Sequence, residues 1–323
     1  MKPSRLRFVR VFCAAAALAL AVGLGATAKV PAAASPPAAK SPGNVTDAGW
    51  LGTHSHASTT WWVPPLGVQP WQWELSNPLR TTDAKQMGTN DKLPDGSPAP
   101  APVIYDIDAI NNPASTVSAL HALRKHVVCY IEVGAAGNYY SATEEGIGTS
   151  YYDQLAKAGV LGAPVSGWPE RYVDIRSTST VAIVEAMVKE QCATKGFDAV
   201  ETDIDEEYHS ANGFGLTLAD QERYMGTLAD YIHGLGLGWW IKNPDDTGDR
   251  YASDMQPLAD AVLTEQCNQY SSCAALNGYL GHKAVFNAEY HRRPSQFCGA
   301  DAALGINGTQ FNLNLTGVRR PCR

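Results

Sequence analysis

Acidic side chains follow several apolar runs of this 323-residue sequence, each at the point where a run ends. Two carboxyl groups can hydrolyse a glycosidic bond, because one is protonated to assist the leaving oxygen and the other is ionised to attack carbon or activate water. A single acid in such a place can equally cap a helix or lie in a solvated loop. The repetition favours chemistry, and the acids concerned are Asp106, Asp108, Glu201, Asp203, Asp205, Glu265 and Glu289.

The apolar runs themselves predict eight β-strands. Between most of them lie segments with helical spacing, and the clearest follows the candidate N-cap Thr217, with apolar residues at Met225, Leu228, Ile232 and Leu235. Such alternation predicts a parallel sheet. Eight strands over about 250 residues predict a single-domain α/β structure, the (β/α)8 TIM barrel. The runs are residues 71–75, 103–107, 126–133, 197–204, 235–241, 259–263, 283–288 and 305–313.

In such a barrel the carboxyl ends of the strands ring the mouth, where active sites lie. We therefore expect Asp203, after the fourth strand, and Glu265, after the sixth, to be the catalytic pair. Asp203 would be the nucleophile or charge stabiliser and Glu265 the general acid and base. A nearby cation, for which Lys242 is the candidate, would favour the ionised form of Asp203. The expected substrate contacts are Trp71, Asp106, Asp108, Tyr130, Glu201, Asp205, Tyr208, Lys242, Asn243 and Glu289.

The first residues predict export. Four cationic side chains precede an apolar run that ends in Ala26-Thr27-Ala28, which indicates a signal peptide at 1–28. Since this segment has no acid, its removal changes the formal charge from −7 to −11. We expect an extracellular monomer that repels nucleic acid and membranes and attracts a cationic polysaccharide. Residues 29–48 form a Pro/Ala-rich linker and 49–323 the catalytic domain, and an uncleaved membrane anchor is the alternative.

Six cysteines remain after residue 28, and an even number in an oxidising compartment favours disulfide bonds. Cys267 and Cys273 enclose a short loop, and Cys298 and Cys322 bracket the C-terminal segment. Cys129 and Cys192 are left over, although spacing alone does not fix the connectivity. No spacing resembles a zinc site and no glycine-rich nucleotide motif occurs, so we expect neither a metal nor a cofactor.

Short motifs run in order through residues 71–290: Trp71-Gln72-Trp73-Glu74-Leu75, Tyr105-Asp106-Ile107-Asp108, Cys129-Tyr130 with Gly134, Gly167-Trp168-Pro169-Glu170-Arg171, Asp174-Ile175-Arg176, Lys242-Asn243, Glu265-Gln266-Cys267 and Glu289-Tyr290. As an ordered set they resemble the endo-α-1,4-polygalactosaminidases, glycoside hydrolase family 114. The resemblance implies a (β/α)8 barrel that hydrolyses α-1,4-linked galactosamine polymers without a metal. The family's catalytic Asp and Glu match Asp203 and Glu265.

The fourth strand departs from the family pattern. The family usually has acid-Pro-Asp-Asn followed by a further Asp, whereas this chain reads Glu201-Thr202-Asp203-Ile204-Asp205. Asp205 is therefore an alternative to Asp203 for the catalytic role.

Two other functions are alternatives to this one. Residues 197–205 are similar to the DGxDxDxE strand of family 18 chitinases, but the last position is Asp205 rather than Glu and Glu265 would have no role. A non-catalytic, secreted carbohydrate-binding barrel is the second alternative. The presence of both Asp203 and Glu265 argues against it.

Overall fold

The structure, a computed structural model, describes residues 60–323, which fall within one compact unit. The signal peptide predicted at 1–28 and the linker predicted at 29–48 lie outside the described residues. The strands are β1 (Trp71–Glu74), β2 (Ile104–Asp108), β3 (His126–Glu132), β4 (Ala135–Gly137), β5 (Leu161–Pro164), β6 (Glu170–Val173), β7 (Ala199–Asp203), β8 (Gly238–Lys242), β9 (Ala261–Glu265), β10 (Ala284–Glu289), β11 (Asn307–Phe311) and β12 (Arg319–Pro321). The helices are α1 (Ala114–Ala122), α2 (Ala142–Glu145), α3 (Tyr151–Lys157), α4 (Thr178–Met187), α5 (Leu218–Gly234), α6 (Tyr251–Met255), α7 (Cys267–Tyr270) and α8 (Pro294–Leu304).

The large sheet has the order β1-β2-β3-β7-β8-β9-β10-β11-β12. Its first eight strands pair in parallel and coincide with the eight apolar runs of the sequence, whereas β12 is antiparallel to β11. The segment before β12 meets β1, since Glu74 bridges Thr316 and Leu75 N donates to Leu315 O at 3.1 Å. This segment therefore lies at the seam between the first and last strands. The predicted single-domain (β/α)8 barrel is confirmed.

Four short strands were not predicted from the sequence. The three-stranded sheet β4-β6-β5 lies in the long connection between β3 and β7, and β12 lies near the C-terminus. Each has only three or four residues, too few for an alternating pattern to be recognised. The small sheet packs on the loop after β7, because Ala135, Val165 and Tyr172 form one buried cluster with Ile204.

Alternate residues of the parallel strands point into the barrel and build its core. Trp240 on β8 stacks on Phe286 of β10, with ring centroids 4.6 Å apart, and such a pair contributes about 0.5–1.5 kcal/mol beyond its area burial. Trp71 is the first residue of β1 and is 1 % exposed, and its Nε1 donates to the carbonyl of Asn307. Because it lies in the core at the amino end of β1, Trp71 does not reach the mouth as the sequence had led us to expect.

Helix α5 is the clearest case of a helix specified by its own sequence. Thr217 accepts a hydrogen bond from Asp220 N, and the Asp220 side chain accepts one from Thr217 N, which completes a capping box. The face that carries Met225, Leu228 and Ile232 is buried.

Three disulfide bonds join the six cysteines. Cys129 of β3 pairs with Cys192, in the turn of helix that continues α4. The other two bonds are Cys267–Cys273 and Cys298–Cys322, so the pairings considered from the sequence are present. Within residues 60–323, no helix is both long enough and apolar enough to cross a bilayer.

Candidate active site

Lys242, the last residue of β8, lies at the centre of a cluster of carboxylates at the mouth of the barrel. Its Nζ is 2.9 Å from Glu201 Oε1, 3.3 Å from Asp203 Oδ1 and 3.4 Å from Glu265 Oε2. The ammonium also lies over the Trp73 ring, 4.8 Å from its centroid. Burial alone would lower the pKa of Lys242, but the three carboxylates outweigh it and raise the pKa well above its ordinary value. Lys242 is therefore a fixed positive charge.

Asp203 ends β7 with its side chain inside the barrel, on the same face as Glu201 two residues earlier. Its Oδ1 faces Lys242, and its Oδ2 accepts a hydrogen bond of 2.6 Å from the Tyr130 hydroxyl on β3. The side chain is 19 % exposed, whereas Glu201 is 0 % exposed. Asp203 is thus held from two sides while it still reaches the solvent from which a substrate comes.

Glu265 ends β9 and faces Asp203 across Lys242, with 16 % of its side chain exposed. Tyr290 donates its hydroxyl to Oε1, and Asn243 Nδ2 donates to Oε2 at 3.1 Å. Asn243 also accepts a hydrogen bond from Glu265 N, which its left-handed backbone conformation (φ 46°) allows. Glu265 is therefore fixed by the residues that follow β8 and β10.

Asp106 and Glu201 form a fully buried carboxyl pair beneath this cluster. Asp106 is on β2, both residues are 0 % exposed, and each carboxyl group affects the pKa of the other. Burial, followed by the charge of Glu201, raises the pKa of Asp106 well above its ordinary value, which favours the protonated form of Asp106. Glu201 Oε1 accepts from Lys242. Glu201 thus supports Lys242, and neither carboxyl group of the pair has exposed surface.

Asp205 points away from the pair. Ile204 has a left-handed backbone conformation (φ 58°), which breaks the alternation of β7. The Asp205 carboxylate accepts from Lys242 N at 2.9 Å and from the Thr202 hydroxyl at 3.0 Å, and the residue is 0 % exposed. Asp205 therefore ties β7 to β8 and does not face the mouth.

Three further residues expected to contact substrate are engaged with the protein. Asp108 accepts from the backbone of Ile110 and Asn111 and from the Tyr140 hydroxyl, and so shapes the loop after β2. Glu289 is fully buried and accepts from Asn268 N and Gln269 N at the start of α7. Tyr208 donates to Asp249 in the loops after β7 and β8. Together with Trp71 they are not part of the cluster around Lys242.

The structure adds residues that the sequence reading did not place at the site. Trp73 lies under Lys242, Tyr290 holds Glu265, and Glu132 ends β3 in register with Asp203. Glu132 carries a similar signal, since it lies at the carboxyl end of the apolar run 126–133 and is the last residue of β3. Trp73 comes two positions after the core residue Trp71, and Tyr290 comes two positions after the core residue Ala288. Because side chains alternate along a strand, each lies on the same face as that core residue, and this spacing is the sequence signal that could have placed them at the site.

A metal is not needed to explain this arrangement, because Lys242 already supplies the positive charge among the carboxylates. The one group of metal-ligand type found in the described residues is Cys267, Cys273 and Asp301. Its two sulfur atoms are joined in a disulfide bond, which removes the thiolates that a metal would bind.

Comparisons with known proteins show a shared fold. Among solved structures, the chain is similar to Ega3 of Aspergillus fumigatus in complex with galactosamine, with a TM-score of 0.65 and 24% identity, over 83% of this chain and 100% of that chain. It is also similar to the glycoside hydrolase domain of PelA from Pseudomonas aeruginosa, with a TM-score of 0.53 and 13% identity, over 77% of this chain and 97% of that chain. At these identities both likenesses show the shared fold.

The curated proteins compared gave no match. The family model for glycoside-hydrolase family GH114, however, matches residues 52–323, which is most of the chain. The match over most of the chain favours this family over the two alternatives, a family 18 chitinase and a non-catalytic carbohydrate-binding barrel. The chain thus belongs to glycoside-hydrolase family GH114 and is a glycosidase that acts on O-glycosyl bonds.

Proposed function

We propose that this glycosidase is exported and cleaves α-1,4-linked galactosamine polymers, with Asp203 as nucleophile and Glu265 as general acid and base. The observation that carries the proposal is the pair of partly exposed carboxylates held on either side of Lys242 at the barrel mouth. The bound galactosamine of the Ega3 structure supports the choice of an amino sugar. Disulfide bonds support export, because they persist in oxidising compartments.

The reaction follows from the position of the two carboxylates. Asp203 attacks the anomeric carbon while Glu265 gives its proton to the glycosidic oxygen, so that the bond to the leaving chain breaks and a glycosyl ester of Asp203 forms. Glu265, now ionised, takes a proton from water, which attacks the same carbon and releases Asp203. Lys242 and Tyr130 stabilise the carboxylate of Asp203 before and after the covalent step.

We further propose that the anomeric configuration is retained. Asp203 Oδ1 and Glu265 Oε2 lie 3.3 Å and 3.4 Å from the same nitrogen, so they can be no farther apart than the sum of these distances. This limit lies near the lower end of the roughly 6.5–9.5 Å separation of inverting enzymes and above the roughly 5–5.5 Å of retaining ones. Separations below this limit include the retaining range, so direct attack by Asp203 is compatible with the geometry.

The substrate is tested by incubating the purified protein with partly deacetylated polygalactosamine and with chitin, followed by mass spectrometry of the products. We expect galactosamine oligosaccharides from the first polymer. Products from chitin alone would contradict the proposed substrate.

The roles are tested with alanine variants and azide, a small nucleophile that can replace a missing group. Asp203→Ala with azide should form a glycosyl azide of inverted configuration, because azide then attacks directly. Glu265→Ala with azide should form one of retained configuration, because azide replaces water in the second step. The opposite pairing of variants and products would exchange the two roles.

A further inference from the structure

Glu132 lies beside the nucleophile on the neighbouring strand. It ends β3 and is in register with Asp203 on β7. Tyr130, two residues earlier, points into the barrel and donates its hydroxyl to Asp203. Because side chains alternate along a strand, Glu132 is on the same inward face, one layer nearer the mouth. It therefore flanks Asp203 on the side opposite Glu265, which is two strands away in the other direction.

The small sheet fixes the position of Glu132. Tyr139 donates its hydroxyl to Glu132 Oε1, and the same hydroxyl is 3.5 Å from Glu170 Oε1 on β6. The Tyr139 ring lies close to the backbone of Gly137, where an added Cβ would come within 2.0 Å of it. A glycine is needed there for the tyrosine to take this position. Two carboxylates thus converge on one neutral hydroxyl at the rim.

A cavity of about 50 Å³ adjoins Glu132 and Tyr139. One water molecule needs about 10–15 Å³ of such volume. The cavity therefore has room for a few water molecules or a small charged group, but not for a sugar ring. Its lining, which lies wholly in the described residues, includes the acids Asp108, Glu132 and Glu145 and no Lys, Arg or His. Most of its other lining residues are apolar, and Asp203, Lys242 and Glu265 are not among them, so this cavity lies beside the site and Glu132 stands between the two.

We propose that Glu132 binds the protonated 2-amino group of the sugar at the cleavage point and so makes the enzyme prefer free galactosamine units to N-acetylated ones. This inference rests on the proposed function and adds a specificity-determining residue to it. The amino group is on the carbon next to the anomeric carbon, so a residue that flanks the nucleophile can reach it. A charge-assisted hydrogen bond from ammonium to carboxylate is roughly twice as strong as a neutral one, and an acetamide cannot form it.

Other acids of the site do not fit this role. Glu201 and Asp106 are 0 % exposed, and Glu201 accepts from Lys242. Asp205 is turned toward the backbone of β8. Glu132, in contrast, is partly exposed at the mouth end of its strand.

The test measures kcat/KM of Glu132→Gln on α-1,4-linked galactosamine oligosaccharides and on their N-acetylated forms. Glutamine keeps the shape and the contact with Tyr139 but removes the charge. We expect kcat/KM on the free amine substrate to fall at least about tenfold, with the acetylated substrate unchanged within about twofold, so that the ratio of the two falls. Glu190→Gln is the matched control, because Glu190 also accepts from a tyrosine, Tyr151 at 2.6 Å, but lies on the helical segment after α4. It should leave the ratio unchanged.

An unchanged ratio in Glu132→Gln, or an equal loss on both substrates, would overturn the inference and leave the proposed function standing. If the wild-type enzyme cleaves chitin and not galactosamine oligosaccharides, both the proposed function and this inference are wrong. A lower ratio of kcat/KM on the free amine substrate to kcat/KM on the acetylated one, seen in Glu132→Gln but not in Glu190→Gln, would support the inference. A mere loss of packing would lower kcat/KM on both substrates and leave the ratio unchanged.

Discussion

Lys242 holds three carboxylates around one ammonium group, and each has a different exposure to solvent. Glu201 is fully buried, while Asp203 and Glu265 are 19 % and 16 % exposed. A buried charge that loses one partner is strongly destabilising, so the four groups form a unit. The unit also fixes the two catalytic candidates in place before substrate arrives, which lowers the entropic cost of the reaction.

The first prediction separates Asp203 from Asp205. Asp203→Asn and Glu265→Gln remove an ionisable group that faces the mouth, so each should lower kcat at least about 10²–10⁴-fold. Asp205→Asn should lower stability more than activity, because its carboxylate contacts the Lys242 backbone and Thr202. Initial rates and thermal unfolding of the three variants provide the measurement. An inactive, stably folded Asp205→Asn beside an active Asp203→Asn would assign the role to Asp205.

The second prediction concerns the proton of the buried pair. We predict that Asp106 is protonated, because burial and the neighbouring Glu201 raise its pKa well above its ordinary value. Asp106→Asn should therefore keep kcat within about threefold of wild type at neutral pH, since an amide can donate to Glu201 as the carboxyl does. Glu201→Gln removes the closest partner of Lys242, at 2.9 Å, and should cost at least about tenfold in activity or several degrees in Tm. A loss in Asp106→Asn equal to that in Glu201→Gln would show that Asp106 is ionised.

For single residues, the sequence could predict the site where side chains alternate along a strand, because every second side chain then points into the barrel. Four residues occupy inward positions in or directly after buried runs, and the structure brings them together with Asn243. They are Tyr130, Asp203, Lys242 and Glu265. Asp108 and Glu289 also end strands, but backbone N–H groups of the following loops bind them. The conformation of the following loop decides whether such an acid faces the mouth or binds backbone N–H groups, and no strand pattern encodes that conformation. These placements bring the residues together, and their roles stay predictions.

At the scale of elements, β1 also ends in an acid, Glu74, and its burial makes the stability of the fold depend on pH. Glu74 is 0 % exposed and accepts from Ser76 N and Asn77 N, and burial raises its pKa to about 7. A carboxyl whose folded pKa is raised stabilises the fold fully below its unfolded pKa of 4.5, and this stability is lost as pH rises through about 7. Stability should therefore decrease between these two pH values.

The third prediction follows from Glu74. Glu74→Gln keeps the acceptor oxygen and never ionises, so it should exceed wild type in unfolding free energy by on the order of 2–3 kcal/mol at pH 8. At pH 4.5 the two should be equal within error. Denaturant unfolding at both pH values measures the difference. Asp95→Asn provides the contrast, because hydrogen bonds from Ser97 lower the pKa of Asp95 and the sign of the pH effect is opposite. No pH dependence of the Glu74→Gln effect would show that the pKa of Glu74 is the same in the folded and the unfolded chain.

The elements differ in how far local sequence specifies them. The eight parallel strands and α5 carry apolar patterns, and these elements and the N-cap Thr217 were predicted, whereas the capping box with Asp220 was seen only in the structure. The β4-β6-β5 sheet forms because a long connection folds back on the loop after β7, a tertiary contact with no local signature. The same holds for β12, which is defined by its pairing with β11.

At the scale of the whole molecule, the acidic charge bears on substrate capture. With residues 1–28 removed, the formal charge is −11, and a polymer of protonated amines is attracted to such a surface. The fourth prediction is that kcat/KM on deacetylated polymer falls several-fold as NaCl rises from low to about 0.5 M, because salt screens charges beyond a few ångströms. The N-acetylated polymer is the control and should show little change. Equal salt effects on both polymers would contradict electrostatic capture.

The fifth prediction concerns export and thiols. The six cysteines of the described region are all in disulfide bonds, and the seventh, Cys13, lies in the predicted signal peptide. Secreted protein should therefore begin at Lys29 and show no titratable thiol after denaturation. N-terminal sequencing and thiol titration measure both. One thiol per chain would indicate that residues 1–28 are retained, and several would contradict the disulfide bonds.

The seam between β1 and the segment before β12 also sets an order in time. Arg319 is buried and donates to the carbonyl of Trp71, 248 positions earlier, and Leu315 accepts from Leu75 and Ser76. The first strand to be synthesised thus gains its last neighbours only when residues 315–321 have emerged. Contacts between such distant positions form late and slow the folding of a chain. If the chain is exported unfolded, as the proposed function would allow, the ring would therefore stay open until residues 315–321 had crossed the membrane, and the catalytic mouth would be completed on the outside.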